Sequence, residues 1–135
     1  MTPIDRIRNA VNQYGVRIGI PVGKLKVYDS PQVDGTPYIN ISENIFSYII
    51  EERGCIFEKR ETSDFNTLLY WLMSDVVFTM ASNYELNHRV PHQDSRRVIF
   101  STELKLMQAL EESWNLKKKN EIEDNLEKSP YIDNI

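Results

Sequence analysis

The sequence predicts an α+β domain in which a short N-terminal helix leads into a small antiparallel sheet and a C-terminal helical hairpin packs on one sheet face. Three observations carry this expectation. Apolar residues recur at helical spacing near the start and alternate between turn residues in the middle. From Phe65 they form a long three-and-four stripe that breaks at Arg89-Val90-Pro91-His92 and resumes near Asp94. At 135 residues the chain suffices for one domain with a core, expected over residues 1–114, and residues 115–135 read as a charged extension, partly helical or frayed.

The elements follow in order. Thr2 can cap a helix, Pro3 suits its first position and Asp5 complements its positive end. Ile4, Ile7, Val11 and Tyr14 then recur at helical spacing, with Gly15 as a left-handed stop. Over residues 16–28, Gly19, Pro21 and Gly23 break any helix and Leu25 and Val27 alternate with lysines, which predicts a first strand region. Asp34-Gly35-Thr36-Pro37 is turn chemistry, after which Tyr38 to Ser42 alternate as a second strand. Residues 45–51 and 55–60 make two further strands, joined through Glu52-Arg53-Gly54 with Gly54 at positive φ.

Thr62 or Ser63 is expected to cap the next helix, whose stripe is Phe65, Leu68, Leu69, Leu72, Met73, Val76, Val77, Met80 and Tyr84. After Pro91, Asp94 caps a last helix carrying Ile99, Phe100, Glu103, Leu106, Met107, Leu110 and Trp114 on one face.

Composition narrows the function. With 41% hydrophobic and 27% charged residues the chain resembles folded proteins rather than disordered ones. The start Met1-Thr2-Pro3-Ile4 lacks the pattern of a secretory signal, and no apolar run approaches the roughly 18 residues of a membrane span, so a cytoplasmic location is expected. A net charge of −4 disfavours direct nucleic-acid binding and suits a basic protein partner. The single cysteine, Cys55, lies in an apolar strand pattern and reads as a buried structural thiol.

The break between the two long helices gathers the polar groups. Glu85 with Arg89 or Arg96 can form a partly buried ion-pair network that fixes the corner, and the same residues can contact a partner. The candidate partner-binding residues are Tyr84, Glu85, Asp94, Arg96, Arg97 and Asp75. Glu43, Glu51, Glu52 and Asp64 are further carboxylates suited to a basic partner, and Tyr38, Tyr48, Tyr70 and Trp71 are candidate aromatic anchors. His88 and His92 stand four apart, but Pro91 between them breaks the shared helical face and no third ligand is near, so no metal is expected. There is no phosphate-cradling glycine loop and no indication of a catalytic triad, so neither catalytic residues nor cofactors are expected.

The run Tyr70-Trp71-Leu72-Met73-Ser74-Asp75-Val76-Val77-Phe78, continuing through Ala81-Ser82-Asn83-Tyr84-Glu85-Leu86 to His88-Arg89, and then Gln93-Asp94-Ser95-Arg96-Arg97-Val98-Ile99-Phe100 with Glu103-Leu104, resembles the C-terminal half of immunity protein family 63. The resemblance covers residues 45–110 and is most specific over residues 84–97. It implies a cytoplasmic antidote to a polymorphic toxin, as in contact-dependent growth inhibition, that binds the C-terminal toxin domain of its own system without catalysis. A nuclease is one toxin class that such an acidic chain would suit, and a monomer is the favoured state. Two alternatives stand beside it: a small intracellular interaction or regulatory domain without a toxin partner, and an enzyme using Glu85, His88, Arg96 and Arg97.

Overall fold

Thr2 opens the fold as the N-cap of α1 (Pro3–Arg17), where the Asp5 amide donates to Thr2 Oγ1 at 3.2 Å and the Asp5 carboxylate accepts from the Thr2 amide, closing a capping box. The computed structural model describes residues 1–134. After α1 come β1 (Tyr38–Ser42), β2 (Ile45–Glu52), β3 (Cys55–Thr62), α2 (Phe65–Asn87), α3 (Arg96–Leu110) and α4 (Glu112–Lys128). The class is α+β, with an N-terminal helix, an antiparallel sheet and C-terminal helices. The chain divides into two compact units, Met1–Leu72 and the residues from Met73 onward, with the boundary inside α2.

In the first unit, α1 buries Ile7, Val11 and Gly15 and does not stop at Gly15. It runs to Arg17 and ends in a Schellman motif: Gly19 takes φ +86, its amide bonds the Val16 carbonyl, and the Ile20 amide bonds the Gly15 carbonyl at 2.9 Å. Gly15 serves close packing instead, since a Cβ there would sit 2.8 Å from Leu25 Cδ1. The strand expected over residues 16–28 does not form. The Gly19, Pro21 and Gly23 turns occupy half of it, and Arg8 takes the Val27 carbonyl with Nε and Nη2 at 3.0 and 2.9 Å. Tyr28 alone makes a bridge, to Tyr38.

The three strands pair in the order β1-β2-β3, all antiparallel. Both connections are two-residue turns with positive φ at each central residue, Glu43 (48) and Asn44 (68), then Arg53 (53) and Gly54 (77). This is the type I′ pattern whose twist suits a hairpin. A bulge at Phe57 bends β3, because Ile50 opposes Glu58 while Glu51 opposes Ile56. Ile39, Tyr48 and Arg60 fall in one cross-strand row, and the Arg60 guanidinium lies 4.3 Å from the Tyr48 ring centre and 5.0 Å from that of Trp71. Cys55, expected to be buried, is exposed, because it begins an edge strand directly after a turn.

The cap of α2 is Asp64, not Thr62 or Ser63. Its Oδ2 accepts from the Thr67 amide at 2.9 Å and from Thr67 Oγ1, and a carboxylate here also meets the positive end of the helix. The buried row in the second half of α2 is Met73, Val77, Ala81 and Glu85, a strict i+4 recurrence, and Tyr84 lies off it with 48% of its surface exposed.

In the second unit the C-terminal helices number three. Leu110 ends α3, Glu111 turns extended at φ −152, and Trp114 belongs to α4 rather than continuing the preceding helix. α3 and α4 pack on each other, burying Glu103, Met107 and Leu110 on one side and Trp114, Lys118 and Ile122 on the other. Asn115 Nδ2 ties them by donating to the Leu104 carbonyl at 2.8 Å. Residues 115–128 of the charged extension are thus helix, continuing α4 from the buried Trp114 and anchored by the buried Ile122.

Candidate functional site

The segment between α2 and α3 is built from the polar run the sequence singles out. α2 ends at Asn87, where Tyr84 and His88, one turn apart, stack their rings at 4.0 Å and His88 Nδ1 meets the Tyr84 carbonyl at 2.9 Å. One position on, the i+4 row of α2 delivers Glu85 to a buried place with 5% of its side chain exposed. Arg89 forks onto it, Nε to Oε2 at 3.2 Å and Nη2 to Oε1 at 3.1 Å, while keeping 62% of its own side chain in solvent. Of the two partners expected for Glu85, Arg89 takes it and Arg96 pairs elsewhere.

Beyond Pro91 the chain turns at His92, with φ +62, and a cleft of about 380 Å³ opens between Glu85, Arg89, Val90, Pro91, His92, Gln93 and Ser95. Asp94 then organises the start of α3 from just outside it. Its carboxylate accepts from the Arg96 amide at 3.0 Å, from Arg96 Nε and Nη2, and from the Ile132 amide at 3.0 Å. The Arg96 guanidinium first, and the two backbone amides next, hold the Asp94 carboxyl far below the usual carboxylate range.

The other half of this arrangement comes from the end of the chain. Arg96 Nη1 donates to Asn125 Oδ1 and to the Ser129 carbonyl, and Nη2 donates to the Pro130 carbonyl. Arg97 holds the Asp133 carboxylate through Nε and Nη2, the latter at 2.8 Å, and lies 4.0 Å from the Tyr131 ring centre. Asp133 in turn accepts from the Asp94 amide at 2.9 Å, and the Asn134 amide bonds the His92 carbonyl. The Arg97 side chain, followed by the Asp94 amide, lowers the Asp133 pKa. Residues 129–134 therefore form a clasp over the start of α3. Sequence reasoning named Asp94, Arg96 and Arg97 but missed Tyr131, Asp133 and Asn125. The available signal was an aromatic and an acid placed just past Pro130 in an otherwise polar tail.

The remaining candidates are dispersed. Asp75 is exposed on α2, and its carbonyl accepts from Thr79 Oγ1 at 3.1 Å. Glu51 accepts from the Tyr38 hydroxyl at 2.8 Å, which raises the Tyr38 pKa; Glu43 and Glu52 are exposed in or beside the two hairpin turns, and Asp64 is spent on its helix cap. Tyr48 and Tyr70 are 1% and 3% exposed, so they are core residues and not surface anchors. Trp71 is half-buried, edge-on to Tyr48 and against Arg60. Among the described residues no group of three or more histidine, cysteine, aspartate or glutamate side chains is placed to hold a metal ion, and no helix is long and apolar enough to cross a membrane.

The family model described as immunity protein 63 matches residues 43–124, well over half of the chain, and the protein belongs to that family. The match runs past Leu110 and through most of α4, further than the resemblance legible in the sequence. It also spans Glu85, Asp94, Arg96 and Arg97 but ends before the clasp residues Tyr131 and Asp133. No curated protein and no solved structure is significantly similar to the chain. Its general role is therefore that of an immunity protein, whose partner is a toxin.

Proposed function

We infer that the chain neutralises the C-terminal toxin domain of its own polymorphic toxin system, of the kind used in contact-dependent growth inhibition, by tight non-covalent binding in the cytoplasm. It acts as a monomer and without catalysis. The observation that carries this reading is membership of an immunity-protein family across the segment that contains the α2–α3 corner. The acidic balance, a net charge of −4, supports a basic toxin surface such as the active site of a nuclease, where complementary charge speeds encounter and favours the right partner.

The corner supports a contact role by its make-up. Tyr84 at 48% exposure, Leu86 at 63% and Val90 at 44% are exposed apolar side chains close in sequence to the Glu85–Arg89 pair, the mixture of aromatic and charged groups typical of binding hot spots. Asp94, Arg96 and Arg97 fix the start of α3 through the clasp and support the interface through it.

Coexpression tests the reading directly. The toxin encoded beside this chain is expressed in cells with and without it, and survival only in the presence of the immunity chain is the expected result. Unchanged killing removes the proposal.

A further inference from the structure

Two carboxylates of the α2–α3 corner are buried, and they are used differently. Asp94 is saturated from within the chain, accepting from a guanidinium and two backbone amides. Glu85 faces the cleft, and its partner is the guanidinium of Arg89, most of whose side chain is in solvent. An i,i+4 pair with its cation largely in water contributes little, while burying a carboxylate at the end of an apolar helix row carries a desolvation cost. As a lock for the corner it is poorly placed, because the clasp already fixes that corner through Arg96 and Arg97.

The cleft has the features of a receptor. Its lining combines the anionic Glu85 with the apolar Val90 and Pro91, which suit an aliphatic stem, and the polar Gln93 and Ser95. Part of the lining is held in advance: His92 turns at φ +62 and its carbonyl is bonded by the Asn134 amide. We propose that this cleft receives an arginine or lysine side chain of the toxin, which takes the Glu85 carboxylate over from Arg89. The proposal rests on the toxin-binding reading above and adds the chemistry of the contact. Arg89 then acts as a placeholder that keeps Glu85 paired until the partner arrives, and it swings into solvent at little cost because it is already mostly there.

The test has two arms. In the first, the Arg89→Ala chain is titrated with methylguanidinium chloride at constant ionic strength and followed by amide NMR. Saturable shifts at residues 85 and 90–95 are expected, weaker in the wild-type chain and lost in Arg89→Ala/Glu85→Gln; equal shifts in all three, or none, overturn the proposal. If Arg89→Ala does not stay folded, Arg89→Gln carries the same titration. In the second arm, toxin binding is measured by calorimetry: Glu85→Gln should weaken it at least tenfold while Arg89→Ala leaves it equal or tighter. Equal losses in the two variants mean that the pair is only a helix lock and overturn the proposal. Saturable methylguanidinium binding by the Arg89→Ala chain, with no toxin binding by the wild-type chain, overturns the functional reading and the toxin as occupant and leaves the cation-receiving chemistry of the cleft standing.

Discussion

Arg96 Nη1 donates to the Ser129 carbonyl at 2.8 Å, so the first residue of α3 grips the residue that terminates α4. The same guanidinium holds Asp94 and the Pro130 carbonyl, which makes it the hub between the α2–α3 corner and the chain end. Replacing a planar fork with a single ammonium cannot serve these directions at once. Arg96→Lys is therefore expected to loosen the clasp nearly as much as Arg96→Ala. Hydrogen exchange checks this, with faster exchange at the amides of Asp94, Arg96 and Ile132 in both variants and little change in α1. Retained protection in Arg96→Lys would mean that charge alone suffices.

Acid should act on the same clasp, and the sign follows from the lowered pKa of Asp94. A carboxylate with a folded pKa below its ordinary value of 3.8 contributes stability that is fully present above that value. The contribution is lost as pH falls below it. Asp133, lowered by Arg97, acts in the same direction. The clasp should thus open progressively from about pH 4 downward, with the NMR ring resonances of Tyr131 reporting its release from Arg97. In Asp94→Asn this acid response should shrink, and an unchanged acid profile would count against the assignment.

Glu103 should respond in the opposite sense. Burial between α3 and α4 raises its pKa above 4.5, a shift only partly countered by Lys118. A carboxyl with a raised folded pKa favours the folded state most below its unfolded value and loses that advantage as pH rises through the folded one. Glu103→Gln is accordingly expected to be at least as stable as wild type at pH 7, measured by urea denaturation, and less stable relative to it at pH 4. Lys118 keeps its bond to Glu121 at 3.2 Å in that variant, so no new unpaired cation is created.

Two glycines separate what the sequence makes legible from what it hides. The spacing of Ile7 and Val11 shows the helix, but Gly15 and Gly19 are equally plausible stops by residue type. Only the packing of Leu25 against the helix assigns Gly15 to close approach and Gly19 to the left-handed cap. Gly19→Ala, at φ +86 with nothing near its Cβ, should cost roughly 1 kcal/mol from conformation alone. Gly15→Ala should be close to neutral, because the clashing atom is the movable end of Leu25 and alanine favours helix. Chemical denaturation of both variants decides it, and the reverse order would restore Gly15 as the stop.

Elsewhere local signals were sufficient where they acted locally. The strands β1 to β3, the Arg53-Gly54 turn and the long α2 helix all follow from alternation, turn residues and apolar recurrence. Non-local decisions were not readable. The failure of residues 16–28 to join the sheet depends on Arg8 claiming the Val27 carbonyl, and the clasp depends on Arg97 meeting Asp133 across 36 positions. In the corner, the identity of the polar residues was legible and their partners were not: Glu85 chose Arg89 by helical spacing, while Arg96 turned to Asp94 and the chain end.

Exposed residues of α2 give the cleanest probe of the proposed interface, because their loss does not pass through the clasp. Tyr84 is half in solvent and stacks on His88, and Asp75 is exposed on the same helix. Tyr84→Ala and Asp75→Lys should each change stability by no more than about 0.5 kcal/mol, as surface substitutions do. Arg97→Ala, in contrast, releases both Asp133 and Tyr131 and should weaken folding and inhibition together. If Tyr84 is an anchor, its removal should weaken toxin affinity at least tenfold with the melting temperature nearly unchanged. Asp75→Lys should slow association with a basic toxin, most visibly at low salt. Should both chains protect cells and bind as tightly as wild type, Tyr84 and Asp75 lie outside the toxin-contacting surface.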